Sequence, residues 1–237
     1  LSLHDALPIY IIPAATSLYS AELIIPSHLV KSRSQAELAS MPVTHKRSDG
    51  NYTYPFWEIL RYQLRDISYE YDAIVIDTAP SLSYLSMTAL MIADGILVPV
   101  PPASLDFASS VQFWSLISDL ADTFDAQREK VFDFVNVIKV KTKNDNLYPI
   151  VSRWISHAYG KYLLNIELPE SKAVSNASTE FSTIYDKPTP EGSVDSHRRY
   201  KAPFDELVTY VESRIRSSWK RDQIKDQMSK TPTKEVA

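Results

Sequence analysis

Cysteine is absent from the 237-residue chain, and glycine occurs only four times. Without thiols the protein can hold no disulfide, thiolate zinc site, iron–sulfur cluster or cysteine nucleophile. A phosphate-binding loop needs closely spaced glycines, and no two glycines are neighbours here. The five histidines are scattered without metal-ligand spacing, which argues against a histidine metal site. They are His4, His28, His45, His157 and His197.

Charge and hydrophobic patterning exclude further classes. The chain has 25 Lys+Arg against 29 Asp+Glu, a formal net charge of -4, so the whole surface does not attract nucleic acid. Any DNA contact would need a local basic patch. No apolar run reaches the ~20 residues that a membrane helix needs. With 44% hydrophobic residues the chain can bury one core. We predict a soluble, globular, cytoplasmic protein that makes no membrane contact.

The two ends of the chain lie outside the domain that we predict. The chain begins with Leu1 instead of methionine, which suggests an incomplete reading frame. Residues 1–9, LSLHDALPI, look like translated sequencing-adapter sequence, so we interpret them as a non-native leader. We expect one domain over residues 10–222 and a loose polar tail over 223–237.

Three apolar, β-branched runs predict strands over 73–76, 95–100 and 131–140. Apolar residues at three- and four-residue steps predict helices between them, over 82–92 and 104–124. Strand–helix–strand alternation implies right-handed crossovers. Because the runs are apolar on both faces, we predict an α/β fold with a mostly parallel sheet and helices on both faces.

Similar patterns continue on both sides of this region. Gly160 stands where one helix should stop. Residues 31–54 are rich in serine, histidine, lysine and arginine and are typical of a surface loop. The additional predicted elements are helices over 56–67, 150–158 and 204–219 and a strand over 163–166.

Asp77 is the strongest candidate for a functional residue. It follows a predicted buried strand, and α/β sheets bind ligands at the carboxyl ends of their strands. In nucleotide-binding proteins such an aspartate helps to hold Mg²⁺, and the neighbouring Thr78 could add a hydroxyl. The alternative is that Asp77 only caps the turn before the next helix.

The amino-acid sequence around Asp77 resembles that of a known family. Residues 71–117 read YDAIVIDTAPSLSYLSMTALMIADGILVPVPPASLDFASSVQFWSLI. They resemble the Walker B strand and following segment of ParA-type partition ATPases, deviant Walker P-loop NTPases, in the SopA-like and plasmid RepA-like branch. Two other segments resemble the same family: YIIPAATSLYSAE at 10–22 and LLNIELPESKAVSNASTEFSTIYDKPTPEG at 163–192.

The resemblance implies roles for several residues. Asp77 would be the Walker B acid and contact Mg²⁺ through water, and residues 78–86 would form a switch that begins at Thr78. Pro169 would lie near the adenine of ATP. Lys139 stands where the family usually has threonine, so we assign it no role in recognising the base.

The largest departure from the family is at the front of the chain. The family has a K-G-G-x-G-K-T phosphate loop, which this sequence does not contain, and a D-x-D switch follows that loop. We therefore interpret the chain as an N-terminally truncated family member that lacks Walker A, switch I and the P-loop strand. We expect it to bind negligible ATP, to be inactive as given and to fold poorly alone.

Basic residues in the C-terminal region are a second candidate site. His197-Arg198-Arg199-Tyr200-Lys201 occupies the place where ParA-like proteins have residues implicated in non-specific DNA binding. By this resemblance Arg198, Arg199 and Lys201 would contact phosphates. The alternative is a solvated polar face. Further basic residues follow along the last helix: Arg214, Arg216, Lys220 and Arg221.

The leading hypothesis is a DNA-segregation ATPase. The intact parent would use ATP and Mg²⁺, form a nucleotide-dependent homodimer, bind non-specific DNA at the nucleoid and respond to a ParB-like centromere-binding protein. A MinD-like membrane switch is disfavoured by the polar C-terminus, and an iron–sulfur carrier by the lack of cysteine. A non-catalytic α/β interaction module stays open, as does an unrelated α/β enzyme.

Overall fold

The structure is a computed structural model that forms two compact units, Leu1–Ile92 and Ala93–Ala237. Within the ranges that it describes, no helix is long and apolar enough to cross a bilayer. The described residues are 45–46, 52–53, 58–65, 67–79, 81, 83–124, 132–186 and 194–230.

The first unit contains short elements. Strands β1 (His45–Lys46) and β2 (Tyr52–Thr53) pair antiparallel, inside the region predicted as a loop. Helix α1 (Glu58–Leu64) is followed by a 3-10 turn, Ile67–Tyr69. Together they match the helix predicted over 56–67, of which residues 56–57 and 66 lie outside the described ranges.

Helix α2 (Tyr84–Ile92) confirms the helix predicted over 82–92 and begins at a serine cap. The Ser83 hydroxyl accepts the Ser86 backbone N–H at 3.2 Å, and the Ser86 hydroxyl accepts the Ser83 N–H at 2.8 Å. This reciprocal pair satisfies donors that the first turn leaves open.

The strand predicted over 73–76 is wrong. Residues 73–79 have neither helical nor strand hydrogen bonding. Ile74, Val75 and Ile76 are 43%, 90% and 37% exposed. A strand needs a neighbour with which to exchange backbone hydrogen bonds. The described strands of the first unit, β1 and β2, pair with each other, so they offer this run no ladder.

The second unit is built on a parallel sheet in the order β3-β4-β5. The strands are Gly95–Val100, Phe134–Thr142 and Leu163–Pro169, which confirms three of the predicted runs: the first has the predicted bounds, and the other two have shifted ends. Gly95 pairs with Phe134 across β3 and β4. A β-carbon at Gly95 would overlap the Phe134 ring, so glycine at this position leaves room for that ring.

Two helices cross over between the strands. Helix α3 (Ser104–Phe124) connects β3 to β4, and α4 (Tyr148–Tyr159) connects β4 to β5, as predicted. Gly160 ends α4 with φ 48°, and its backbone N–H donates to the Ser156 carbonyl. The predicted helix stop at Gly160 is therefore confirmed.

One face of the sheet packs against these crossover helices. Val100 of β3 and Val137 of β4 form a buried cluster with Val151 and Ile155 of α4, and Ile155 is 0% exposed. Phe107 of α3 packs against the same cluster. The apolar stripe of α4 thus closes this face.

The opposite face packs against the last helix, α6 (Val194–Lys230). Ile138 of β4 and Leu207 of α6 share a buried cluster with the inward-facing residues of β5. These residues alternate along the strand, as the two-residue period of a strand requires: Leu164, Ile166 and Leu168. Helices therefore cover both faces of the parallel sheet, which confirms the predicted fold class.

Two features of the C-terminal region differ from the prediction. Helix α5 (Lys172–Thr179) has no counterpart among the predicted elements. Helix α6 begins at Val194, before the predicted start at 204, and includes Pro203. Proline usually marks a first turn, but here the apolar face that packs on the sheet outweighs its missing N–H. The helix also continues to Lys230, within the segment interpreted as a polar tail.

Candidate functional site

Asp77 and Thr78 lie in the exposed 73–79 segment of the first unit. Among the described residues, no group of three or more histidine or acidic side chains could hold a metal ion. Magnesium prefers octahedral oxygen coordination, with waters filling several positions. One carboxylate and one hydroxyl do not by themselves build such a site, so the assignment of Asp77 to a water-held Mg²⁺ stays a prediction.

A partly buried charged cluster lies toward the carboxyl end of the sheet in the second unit. Lys139 of β4 is 7% exposed and forms an ion pair with Glu167 of β5. Its Nζ also donates to the Ser152 hydroxyl of α4 at 3.0 Å. The Tyr148 hydroxyl donates to the second carboxylate oxygen of Glu167. Lys139, which the sequence showed only as a departure from the family, is thus fully engaged within the protein.

Tyr148 stands at the start of α4, above this cluster. Its N–H donates to the Asp145 carboxylate at 2.8 Å, a local side-chain–backbone contact in the turn before the helix. The Lys139 Nζ lies 5.9 Å from the centre of its ring. Burial, followed by the hydrogen bond to Glu167, raises the pKa of Tyr148. The phenol therefore stays protonated at neutral pH and acts as a donor.

Pro169 ends β5, half-buried, at the same edge of the sheet. It pairs with Thr142 of β4, and the Glu170 N–H donates to the Thr142 carbonyl at 3.0 Å. The strand register shifts between Val140 and Thr142, where Lys141 adopts φ 53°. Pro169 therefore lies at an irregular strand end, and its proposed proximity to adenine stays a prediction.

The basic residues of α6 divide into two groups. The side chains of Arg198 and Arg199 are exposed. Lys201 instead pairs with Asp205 at 2.8 Å, and its Nζ lies 4.7 Å from the centre of the Tyr185 ring. An amine with these neighbours is less available to a phosphate than an exposed guanidinium, so the three predicted DNA contacts are not equivalent.

Tyr185 and His197 connect the segment before α6 to that helix. Burial, followed by the hydrogen bond to Asp205, raises the pKa of Tyr185 to about 12. A ring nitrogen of His197, Nε2, lies 2.6 Å from the Ile184 carbonyl oxygen. His197 therefore has a structural role. For the neighbouring ion pair, the i,i+4 spacing of Lys201 and Asp205 was the signal in the sequence.

The basic residues farther along α6 do not form a continuous basic patch. Arg214 donates to the Asp133 carbonyl at 3.1 Å and lies over the Phe134 ring. Arg216 pairs with Glu212. Lys220 is exposed, whereas the side chain of Arg221 lies outside the described part. Arg214 thus fastens the helix to the sheet.

These features define an α/β protein with a parallel sheet and crossover helices. A family model described as an AAA domain matches residues 8–130, which include Asp77. Because the match covers more than half of the chain, the chain belongs to this family, as a member of the ParA type of partition ATPases.

Similar curated proteins carry names from DNA partition, replication and cell division. "Protein SopA" of Escherichia coli (strain K12) is 26% identical over 69% of this chain and 41% of its own length. "Putative replication protein A" of Rhizobium rhizogenes is 26% identical over 70% and 42%. "Cell division protein PomZ" of Myxococcus xanthus (strain DK1622) is 26% identical over 72% and 49%. The chain spans less than half the length of these relatives.

A solved chain titled "Partition Protein" aligns with 80% of this chain and 45% of its own length. The two are 20% identical, with a TM-score of 0.47.

Proposed function

We propose that this chain is part of a ParA-type ATPase that segregates plasmid or chromosomal DNA. The observation that carries the proposal is the family match over residues 8–130. It includes residues 71–117, whose resemblance to the family's Walker B segment supports Asp77 as the Walker B acid. In the intact parent, Asp77 would contact Mg²⁺ through water, and Thr78 would begin the switch that follows. Pro169 would lie near the adenine.

The chain alone lacks the groups that hold a triphosphate. Micromolar affinity corresponds to about 8 kcal/mol of binding free energy. One carboxylate that acts through a water-held metal contributes roughly 1–3 kcal/mol. The sequence contains no clustered glycines whose backbone N–H groups could supply the remainder. ATP and Mg²⁺ are therefore assigned to the parent and not to this chain.

The functional test uses the protein extended by its upstream coding sequence. We expect the upstream coding sequence to encode a phosphate loop, and we expect the extended protein to hydrolyse MgATP. Asp77→Ala should lower turnover at least about 100-fold, the scale of one preorganised electrostatic contact in a transition state. Isothermal titration of the 237-residue chain itself should show no low-micromolar MgATP affinity.

Asp72→Ala is the matched control, because Asp72 is another exposed acid, directly before the 73–79 segment. It should leave turnover within about threefold of the parent. Normal MgATP turnover and normal nucleotide-dependent dimerisation in Asp77→Ala would contradict the assignment of Asp77 as the Walker B acid. A genuine start codon near Tyr10 would instead support a non-catalytic interaction module.

The proposed partners are DNA, a second subunit and a ParB-like centromere-binding protein. Arg198 and Arg199 support the DNA contact, because both guanidinium groups are exposed on one turn of α6. Lys201 would contribute less, because it is paired with Asp205. The proposed binding is independent of DNA sequence, since phosphate contacts carry no base information.

Arg198→Glu/Arg199→Glu tests the DNA contact in the extended protein. We expect at least about tenfold weaker binding to a random duplex at about 0.1 M salt, and a shallower slope of log affinity against log salt by about 2. Arg153→Glu/Lys161→Glu makes the same charge change at two other exposed positions. Equal losses in both double variants would show that only net charge matters and would remove the assignment.

A further inference from the structure

One side of helix α4 is apolar without being buried. Leu147, directly before the helix, and Ile150 and Trp154 within it are 67%, 48% and 46% exposed. They recur at three- and four-residue steps, so they lie in one row along the helix. We name this row the outer stripe. It leaves three large side chains in water on a helix whose buried residues, Val151 and Ile155, already close the core.

The outer stripe borders helix α3. The centres of the Trp154 and Phe107 rings lie 6.1 Å apart, and the hydroxyl oxygens of Tyr159 and Ser110 lie 2.7 Å apart. These contacts hold α3 and α4 side by side, and they place the Trp154 ring against its neighbour. Because the ring is positioned before any partner arrives, it loses little conformational freedom on binding.

The charge beside the outer stripe has one sign. No acidic residue stands between Asp145 and Glu167 in the sequence. Arg153 is exposed three residues after Ile150, so it borders the stripe, and the exposed Lys161 follows the end of the helix. Neither cation forms an ion pair with any residue that the structure describes. We name Arg153 and Lys161 the basic border of the stripe.

The two acids that flank this stretch are engaged within the protein. The Asp145 carboxylate accepts the backbone N–H groups of Leu147 and Tyr148, at 3.0 and 2.8 Å. The Glu167 carboxylate pairs with Lys139 and accepts a hydrogen bond from the Tyr148 hydroxyl. The basic border is therefore left to meet acidic groups from outside the chain.

We propose that the outer stripe and its basic border dock an acidic amphipathic helix of a partner protein. Apolar side chains on one face of that helix cover Ile150 and Trp154, and carboxylates beside them face Arg153 and Lys161. Rows of residues three and four apart form the ridges by which one helix packs against another. The contact uses neither nucleotide nor DNA, so its test is independent of the proposed ATPase function.

Other ligands match only part of this surface. A nucleic acid would pair with the cations but would set the apolar stripe against phosphates. Two cations near an anionic bilayer raise its affinity only about 30-fold, too little for stable attachment without an inserted anchor. Trp154 packs against Phe107 and does not project as such an anchor would. A helix with both an apolar face and carboxylates matches the stripe and its border together.

Peptide binding to the full 237-residue chain tests the proposal. The probe is a fluorescein-labelled helical peptide with leucines at i, i+3, i+4 and i+7 and glutamates beside that row. A control peptide has lysines in place of the glutamates. By fluorescence anisotropy we expect a Kd on the order of 100 µM for the acidic peptide, the scale of small transient interfaces, and at least about tenfold weaker binding of the lysine peptide. No saturable binding of the acidic peptide up to about 1 mM, or equal binding of both peptides, would overturn the proposal.

Competition experiments separate a helix from the other ligand classes. Vesicles of phosphatidylserine and phosphatidylcholine in equal parts should not displace the acidic peptide, and neither should a random DNA duplex. Displacement by either ligand would contradict the choice of a helix as the occupant of this surface.

Trp154→Gln removes the ring from the outer stripe and keeps a good helix former. We expect at least about tenfold weaker binding of the acidic peptide, with unchanged helical circular dichroism. Ile150→Gln should also weaken binding, and it leaves the contact between Trp154 and Phe107 in place. Leu105→Gln is the control, because Leu105 is 81% exposed but lies two residues from Phe107, on the other side of α3. Equal losses in all three variants would show that the outer stripe is not the site.

Arg153→Glu/Lys161→Glu tests the basic border. It should weaken binding of the acidic peptide at least about tenfold and make the lysine peptide the better ligand, because the sign of the border is reversed. Arg198→Glu/Arg199→Glu makes the same charge change on α6 and should leave peptide binding within about threefold of the parent value, since salt screens distant charges. Equal losses in both double variants would mean that net charge, and not this surface, determines binding.

Discussion

Lys139→Met should lower the free energy of unfolding by about 3 kcal/mol. The substitution keeps most of the apolar stem but removes the ammonium group from Glu167 and Ser152. Glu167 would then carry an uncompensated charge against Tyr148, although its side chain, 33% exposed, retains some water. That partial exposure places the expected cost at the lower end of values for broken buried ion pairs. Urea unfolding followed by circular dichroism measures the change.

Two further variants make this result specific. Lys139→Met/Glu167→Gln removes both charges and should recover at least about 1 kcal/mol, because no unpaired charge remains. Lys143→Met breaks the neighbouring ion pair to Glu170, whose side chains are 56% and 57% exposed, and should cost no more than about 1 kcal/mol. A double variant less stable than Lys139→Met would contradict the role assigned to the ion pair.

The sequence predicted the parts of the fold that local pattern determines. The runs that became β3 and β4 are largely apolar, the run of β5 alternates between buried and more exposed residues, and the stripes of α3 and α4 repeat at helical spacing. Gly160 marked a helix stop because few other residues adopt φ 48° without strain. Such features depend on neighbours in the chain.

The incorrect predictions concern elements whose structure depends on residues far away in the sequence. The run 73–76 has every compositional feature of a strand, but composition does not supply the adjoining strand that would complete its hydrogen bonds. Helix α6 extends through Pro203 because its apolar face packs on β5, a contact that local propensity does not register.

The candidate sites show the same division. The pairing of Lys201 with Asp205 follows from i,i+4 spacing and was available from the sequence. The pairing of Lys139 with Glu167 depends on register shifts between β4 and β5, which no short-range pattern encodes. A lysine within the apolar run of β4 was nonetheless a signal of a buried charge with a partner.

Ile155→Ala should cost about 4 kcal/mol, the largest loss that we expect from a single substitution here. Ile155 is 0% exposed and packs with Val100, Val137 and Val151. The removed carbons leave a cavity that the two strands and α4 cannot fill without shifting together. Urea unfolding under the same conditions as for Lys139→Met gives the comparison.

Ile150→Ala isolates the effect of burial, because Ile150 lies in the same helix but is 48% exposed. Both changes replace isoleucine with a better helix former, so helix propensity favours alanine equally at the two positions. Ile150→Ala should therefore cost less than about 1 kcal/mol. A difference of about 3 kcal/mol between the variants requires a packed α4–sheet face, so equal losses would mean that this face is not packed as described. A sharp parent transition would also count against the expectation that the chain folds poorly alone, since only a cooperative core transmits the loss of one side chain to the whole unit.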